Sequence, residues 1–252
     1  MVLLAGPGDT TDIVAHRLAP LAGRLEVIVE EPIDRIRLAR RRAARLGWLR
    51  VVGQILFVTV ALPALRRSGL ERIRSIVAEA GLDPTTYPSV HAVPSVNDAS
   101  TIDLLRSLDP TVVVVNGTRI ISSDVLGSVP CPFINTHAGI TPRYRGVHGG
   151  YWALAEGHPE WVGTTVHLVD PGIDTGGVLA QAPFDTTRRD TIATYPYLHL
   201  AAGLPLLADQ VGRVLDGNAP TPVVGHPSAT SRLYVHPTLW GYLWRWLARG
   251  VR

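Results

Sequence analysis

Three polar side chains near the middle of the chain have the types and spacing needed for chemistry on a carbonyl group. Asn135 and His137 follow a run of apolar residues that is typical of the end of a buried strand. Because residues two apart in a strand point to the same side, we expect these two side chains to lie together. The alternating run 164–169 predicts a neighbouring strand, and the Pro-Gly turn after it places Asp174 at the end of that strand.

An amide, an imidazole and a carboxylate that converge in this way suit the transfer of an acyl group to an amine. Asn135 can donate a hydrogen bond to the oxyanion that develops on the carbonyl oxygen. His137 can move protons, and Asp174 can orient the imidazole and stabilise its charged form. We therefore predict a reaction centre at these three residues. His167, inside the alternating run, is predicted to be a buried, hydrogen-bonded support for it.

Longer motifs surround these residues. Asn-Thr-His at 135–137 is followed by Pro-Arg-Tyr-Arg-Gly at 142–146 and Asp-Thr-Gly at 174–176, and Asn-Gly-Thr-Arg-Ile-Ile lies upstream at 116–121. Together these motifs resemble the catalytic core of the formyltransferases that use 10-formyltetrahydrofolate. That family includes the glycinamide ribonucleotide, methionyl-tRNA and sugar-nucleotide N-formyltransferases. The resemblance covers about residues 95 to 183.

The resemblance implies a Rossmann-like fold, catalysis by Asn135, His137 and Asp174, and 10-formyltetrahydrofolate as the co-substrate, without a metal. It also implies a slot in which main-chain groups bind the pterin. The residues expected to bind the folate are Gly117, Thr118, Arg119, Ile120, Ile121, Val169, Asp170, Gly172 and Ile173.

The amine acceptor is expected to contact loops around the same site. The candidate residues are Gly8, Asp9, Thr10, Asn97, Asp98, Arg143, Tyr144, Arg145 and His148. These loops also have purely structural interpretations. Asp9 or Thr10 can cap the helix after a tight turn, as can Asp98 in its own loop. In the glycinamide ribonucleotide enzymes the first loop holds a phosphate, which the Asp9 carboxylate would repel unless it faces away.

Composition excludes several other classes of protein. The 252 residues are 46% hydrophobic, enough for a sizeable core, and the net charge is only +3. Cys131 is the sole cysteine, which excludes an internal disulfide and predicts a reducing, cytoplasmic location. Its apolar surroundings favour a structural thiol. All 24 basic residues are arginine, so Schiff-base and Walker-type lysine chemistry is excluded. No cleavable signal peptide is visible.

Short apolar runs alternate with helical patterns along most of the chain, which predicts an α/β protein with a mostly parallel, doubly wound sheet. We assign residues 1–215 to a catalytic domain with a helical insertion at about 32–82, and residues 216–252 to a Pro-rich segment followed by a Trp-rich helix. The helix predicted over 192–215 contains Pro196 and Gly203-Leu204-Pro205, where we expect it to break.

The insertion is the least typical part of the sequence. Seven arginines lie between Arg35 and Arg50, and no charge follows over 51–65. These 15 uncharged residues fall short of the ~20 needed to span a bilayer. Three interpretations are open: a helical cover for the core or a homodimer contact, a peripheral anchor at the inner face of the membrane, and an anion-binding face for a nucleotide or nucleic-acid acceptor.

The C-terminal helix has Trp240, Leu243, Trp244 and Leu247 on one side, beside arginines. This pattern suits a membrane interface, a partner surface, or simple docking on the core. We see no room for a C-terminal RNA-binding barrel of the kind in methionyl-tRNA formyltransferase, so we expect no nucleic-acid partner.

These observations favour an N-formyltransferase that moves a formyl group from 10-formyltetrahydrofolate to the primary amine of a small molecule. By resemblance, an amino sugar on a nucleotide carrier is one such acceptor. Two alternatives are a hydrolase that passes the formyl group to water, and a non-catalytic folate- or nucleotide-binding protein. The complete set of Asn135, His137 and Asp174 weighs against the binding protein.

Overall fold

Short strands and helices alternate through the computed structural model, which describes residues 1–32, 39, 43–44, 46–223 and 230–252. The strands are β1 (Val2–Ala5), β2 (Glu26–Glu30), β3 (Val90–Val93), β4 (Val113–Asn116), β5 (Phe133–His137), β6 (Tyr144–Gly146), β7 (Gly163–Leu168), β8 (Val178–Pro183) and β9 (Arg232–Tyr234). The helices are α1 (Asp9–Leu18), α2 (Trp48–Leu56), α3 (Leu62–Ser68), α4 (Leu70–Glu79), α5 (Ala99–Leu108), α6 (Ser123–Leu126), α7 (Gly149–Glu156), α8 (Tyr195–Leu215) and α9 (Leu239–Arg249). A π-helical segment, Phe57–Ala61, joins α2 to α3.

The main sheet has seven described strands in the order β3-β2-β1-β4-β5-β7-β8. The strands from β3 to β5 are parallel, whereas β7 and β8 are antiparallel to their neighbours. The prediction of a mostly parallel α/β sheet is therefore confirmed. β6 and β9 form a separate two-stranded sheet, which ties the C-terminal segment to the loop after β5.

Both faces of the sheet are covered, as the alternation of side chains in β1 requires. Leu3 and Ala5 belong to one core cluster, with apolar residues of α1, α4 and α8. Val2 and Leu4 belong to a second cluster on the opposite face, with residues of α5 and α6. Because helices pack on both faces, a ligand reaches the sheet at its strand ends. The carboxyl ends of β4 and β5 carry Asn116 and the Asn135–His137 segment.

Helix α8 differs from its prediction at its start, which is residue 195 and not 192, and at its second proline. It begins at Tyr195, with Pro196 in its first turn, where a missing N–H costs nothing. It then continues through Pro205, so the break predicted at 203–205 is wrong. Pro205 lies on the exposed side, and the helix packs closely through Gly203, where a Cβ would lie 2.9 Å from side-chain atoms of Thr136 and Thr164. Packing on the sheet therefore outweighs the local cost of the proline.

The insertion contains a continuous helical run from Trp48 to Ser68, 21 residues that by length and composition alone could cross a membrane. The helix extends beyond the uncharged stretch 51–65 at both ends, so that stretch alone underestimated the length of the helix. Arginines 35, 37, 40, 41, 42 and 45 lie outside the described residues.

The C-terminal helix α9 forms where it was predicted. Tyr242 is its buried anchor, and it packs with Phe57, Tyr151 and Tyr195. The side predicted to be apolar faces outward, and its residues are 39–84% exposed, so this side is not the one docked on the core. Residues 224–229 of the Pro-rich segment lie outside the described part of the chain. The division at residue 215 stays a prediction.

Candidate active site

His137 is held at both ring nitrogens and is only 5% exposed. Its Nε2 lies 2.7 Å from the carbonyl oxygen of Tyr144 and donates to it. Its Nδ1 lies 3.4 Å from Oδ2 of Asp174. Both nitrogens thus face oxygen atoms of the protein, which fixes the orientation of the ring.

Asp174 lies on the loop between β7 and β8, with its carboxylate turned inward. Its backbone is left-handed, with φ of 51°, a conformation that Asp tolerates better than most residues. Oδ2 accepts a hydrogen bond from the main-chain N–H of Gly146 at 2.8 Å. This donor fixes the carboxylate beside His137, so the imidazole meets an oriented charge.

Two glycines allow these close approaches. At Gly139 a Cβ would lie 2.5 Å from the Tyr144 carbonyl and 2.9 Å from Nε2 of His137, so any side chain would separate that hydrogen-bonded pair. Gly146 has φ of 93°, and a Cβ there would overlap the carbonyl oxygen of Tyr234. The glycine that ends the 142–146 motif is therefore required for β6 to pair with β9 and to reach Asp174.

Asn135 is oriented by a partner on the neighbouring strand. The register of β5 and β7 places it opposite His167, and its Nδ2 lies 3.1 Å from His167 Nε2. His167 Nδ1 donates to the carbonyl oxygen of Leu168 at 2.7 Å, which leaves Nε2 as the acceptor. Burial lowers the pKa of His167 and keeps it neutral in this role. The second amide hydrogen of Asn135 remains for a ligand.

The structure therefore brings together the three residues predicted from spacing. His167 joins them, since its Nε2 also lies 3.8 Å from Oδ1 of Asp174. Its buried supporting position agrees with the sequence prediction, but the sequence did not identify Asn135 as its partner. The alternation of side chains in 164–169 does place His167 on a definite side of its strand. It identifies Asn135 as the partner only once the antiparallel register of β5 and β7 is known.

The predicted pterin slot lies at the end of β4. Gly117 is exposed with φ of 64°, and the side chain of Ile120 is 56% exposed. Arg119 anchors this loop from behind, because its Nε lies 3.0 Å from Oε2 of the buried Glu30. Ile121 is buried in the core. An accessible main chain and an exposed apolar side chain suit a flat heterocycle.

The second predicted folate segment, 169–173, is a braced loop. Oδ1 of Asp170 accepts hydrogen bonds from Gly172 N–H and from the Thr175 hydroxyl. The Val169 N–H donates to Phe133 O on β5. Arg145 donates to the carbonyl oxygen of Ile173 at 2.9 Å. Arg145, predicted to contact the acceptor, is thus engaged in holding the loop that carries Asp174.

Several other predicted acceptor contacts are also engaged within the protein. The Tyr144 side chain is fully buried and reaches Glu156, so only its main chain serves the site. Arg143 lies against the Trp161 ring and bonds His158. His148 bonds His236 at 2.9 Å and packs on Phe57. The structure gives no support to acceptor contacts by the side chains of Tyr144 and His148, because Tyr144 is buried and His148 is bonded to His236.

The remaining candidates lie in the loops after β1 and β3. Asp98 caps α5, accepting from the Ser100 N–H, which is the structural interpretation. Asn97 bridges to the pterin-slot loop by donating to Ile120 O at 2.8 Å. Gly8 and Thr10 lie at the start of α1, near its unsatisfied N–H groups.

Asp9, at that same helix start, is paired. Its Oδ2 accepts from Arg66 at 2.6 Å and from the Tyr197 hydroxyl at 2.5 Å. Arg66 comes from α3, so the insertion contributes directly to this loop. A carboxylate and its arginine therefore occupy the place where an anion would meet the helix.

Cys131 lies just before β5 and is partly buried. Burial raises the pKa of its thiol to about 11. It is therefore protonated at neutral pH, as expected for a structural thiol rather than a nucleophile.

Comparison of the sequence with known protein families gives a clear match. The family model described as formyl transferase matches residues 70–199. The chain belongs to the formyl transferase family. A methionyl-tRNA formyltransferase of Anaeromyxobacter dehalogenans (strain 2CP-C) is 32% identical over 194 residues, which is 70% of this chain and 61% of that protein. Another, from Pelotomaculum thermopropionicum, is 36% identical over 135 residues, covering 53% and 43%. The chain thus spans less than two thirds of these relatives.

Solved formyltransferases share the fold. A sugar N-formyltransferase from Shewanella sp FDAARGOS_354 superposes with a TM-score of 0.56 at 15% identity, covering 92% of this chain and 75% of that one. Phosphoribosylglycinamide formyltransferase from Bacillus halodurans gives 0.53 at 18%, covering 85% and 94%. The Helicobacter canadensis N-formyltransferase, solved with folinic acid and dTDP-3-aminofucose, gives 0.55 at 13%, covering 92% and 70%. At these identities the similarity establishes the Rossmann-like formyltransferase fold.

Proposed function

We propose that this chain is an N-formyltransferase that moves a formyl group from 10-formyltetrahydrofolate to the primary amine of a small molecule. The observation that carries the proposal is the contact between His137 Nδ1 and Asp174 Oδ2, at the strand end that also holds Asn135. Membership of a family of enzymes supports it.

In the proposed reaction the acceptor amine attacks the formyl carbon. A new C–N bond forms, the carbonyl oxygen becomes an oxyanion, and the bond to N10 of the folate then breaks. Asn135 donates its free amide hydrogen to the oxyanion, in a geometry that His167 has fixed beforehand. His137, held in place by Asp174, delivers a proton to N10 as that bond breaks. The proton that the amine loses then restores the proton on His137.

The acceptor that we favour is an amino sugar carried on a nucleotide. Proteins with such acceptors are among those that share the fold. A glycinamide ribonucleotide acceptor, with its phosphate at the start of α1, would meet the carboxylate of Asp9. Because Arg66 and Tyr197 already occupy that carboxylate, a phosphate there would have to displace both pairs.

The test is an acceptor screen with purified protein and 10-formyltetrahydrofolate, in which release of tetrahydrofolate is measured. The panel contains amino sugar nucleotides, glycinamide ribonucleotide, methionyl-tRNA and a reaction without amine. We expect release that depends on an amino sugar nucleotide. Equal release without any amine would instead identify a hydrolase, and activity restricted to glycinamide ribonucleotide or the tRNA would refute the proposed acceptor.

A further inference from the structure

The charges of this chain are distributed unevenly along the sequence. Segment 35–70 contains nine arginines and segment 217–252 contains four, and neither segment contains any of the 21 acidic residues. A surface built from such segments attracts anions over its whole extent.

The described parts of these two segments meet in the fold. The Trp240 indole lies against Gly53 so closely that a Cβ there would overlap it. The Gln54 side chain donates to the carbonyl oxygen of His236 at 2.8 Å. The ring centroids of Phe57 and Tyr242 are 5.2 Å apart. Helices α2 and α9 therefore form one continuous surface.

That surface is apolar and open. Trp48 is 63% exposed, Leu49 77% and Leu247 84%, values that are unusual for such large apolar side chains. We call the whole set the basic aromatic face; its apolar members are Trp48, Leu49, Val52, Ile55, Leu56, Val60, Trp240, Leu243, Trp244, Trp246 and Leu247. Only 22% of the most apolar 18-residue window of the Trp48–Ser68 helix is buried.

Arginines border this face around a cavity of about 310 Å³. Its lining includes one ion pair, Arg232 with Glu156 at 2.9 Å. Arg50, Arg245 and Arg249 also line it, and none of these three forms an ion pair with a carboxylate of the described residues. The Arg245 guanidinium lies 4.9 Å from the Trp152 ring centroid and 6.0 Å from that of Trp244. Arg245 Nη1 also donates to the carbonyl oxygen of Gly241 at 2.9 Å, which holds the side chain in place. A guanidinium has further planar donors, and these suit the binding of phosphate oxygens.

Two other occupants of the face are disfavoured. A spanning helix would be surrounded by lipid, whereas Val51, Gln54 and Phe57 are buried against the folded domain. A second copy in a twofold dimer would set this face against itself, which opposes arginines to arginines with no acidic residue in either segment. An anionic bilayer supplies both an apolar boundary and phosphates for the arginines.

We propose that the basic aromatic face docks this protein on the surface of an anionic phospholipid bilayer. Tryptophans and leucines enter the headgroup boundary, and arginines at the rim bind lipid phosphates. The buried side of α2 stays attached to the domain, so the protein lies on the membrane without crossing it.

Vesicle flotation of the purified full chain tests this assignment. We expect co-flotation with phosphatidylcholine vesicles that contain phosphatidylglycerol, weak binding to phosphatidylcholine alone, and release at high salt, since charges are screened beyond ~10 Å at 0.1 M. Equal binding to both vesicles, no binding to either, or protein that only detergent extracts would each overturn the proposal.

Matched variants separate the apolar and ionic contributions. Leu49→Glu and Leu247→Glu should each weaken partitioning at least about tenfold, while Val90→Glu, at a 51% exposed site on β3, should not. Arg50→Gln should weaken it by about fivefold, while Arg106→Gln on α5 should leave it unchanged. The proposal would fail if the wild-type chain were a dimer that does not bind vesicles and if Leu247→Glu made it a monomer. The face would then be a dimer contact.

Discussion

The Gly146 N–H and the His137 imidazole meet the same carboxylate oxygen, Oδ2 of Asp174, at 2.8 and 3.4 Å. One oxygen therefore joins three chain segments: β5, the 142–146 motif and the loop after β7. The first two motifs are close in sequence and Asp174 follows Gly146 by 28 residues, yet together they fix the direction of a charge beside the imidazole. That relationship explains why the 142–146 motif ends in a glycine, since a Cβ there would overlap Tyr234 O.

The first prediction concerns that glycine. Gly146→Ala should destabilise the fold by about 3 kcal/mol or more and lower turnover, because a left-handed residue gains a Cβ that overlaps Tyr234 O. Gly217→Ala is the control: its φ is 85°, but nothing lies within 4 Å of the added Cβ, so a cost of about 1 kcal/mol is expected. Urea unfolding of both variants measures the difference. Equal losses would show that crowding at Gly146 is unimportant.

The second prediction concerns the folate slot. A stable analogue, 5-formyltetrahydrofolate, should raise the melting temperature, since ligand at 100 times Kd stabilises the native state by about 2.7 kcal/mol. Ile120→Glu should abolish the shift, because it puts a charge on the exposed apolar side of the slot. Val90→Glu makes the same change on β3 and should leave the shift intact. If millimolar analogue left the folded wild type unchanged, the folate assignment would be lost.

The sequence contained much of this architecture. The strand predicted over 164–169 is present as β7, Gly163–Leu168, because an alternating run that ends at a Pro-Gly turn leaves little freedom. The placement of Asn135 and His137 in one strand could be predicted, because residues two apart share a strand face. The continuity of α8 was missed, since close packing at Gly203 is a property of the folded sheet. The pairing of Asp9 with Arg66 was also missed, because it joins residues that are 57 positions apart in the sequence.

The third prediction concerns oxyanion stabilisation. Asn135→Ala should lower kcat by about 10²-fold, the cost of removing one oxyanion donor. His167→Leu should lower kcat less, because the amide remains but loses the acceptor that orients it. Adding His167→Leu to Asn135→Ala should then change little, since both act through one group. If the fold-losses in kcat of the two single variants multiplied in the double variant, His167 would have a separate catalytic role.

The fourth prediction concerns acid stability. Burial lowers the pKa of His199 from 6.5 to about 3, and this residue is 4% exposed. Between pH 3 and 6.5, unfolding therefore takes up a proton at His199. The free energy that the neutral His199 contributes to folding is fully present above pH 6.5 and is lost as the pH falls towards 3, by about 1.4 kcal/mol per pH unit. His199→Leu should flatten the slope of unfolding free energy against pH by this amount. An unaltered slope in His199→Leu would refute the assignment.

The most direct test of the account is the turnover of Asp174→Asn with 10-formyltetrahydrofolate and the acceptor identified by the screen. The substitution removes the charge beside His137 and keeps the shape, so kcat should fall by about 10²-fold or more while analogue binding is retained. His137→Ala should be as severe, and the double variant no slower than the slower single. Near-normal turnover by Asp174→Asn would contradict the mechanism.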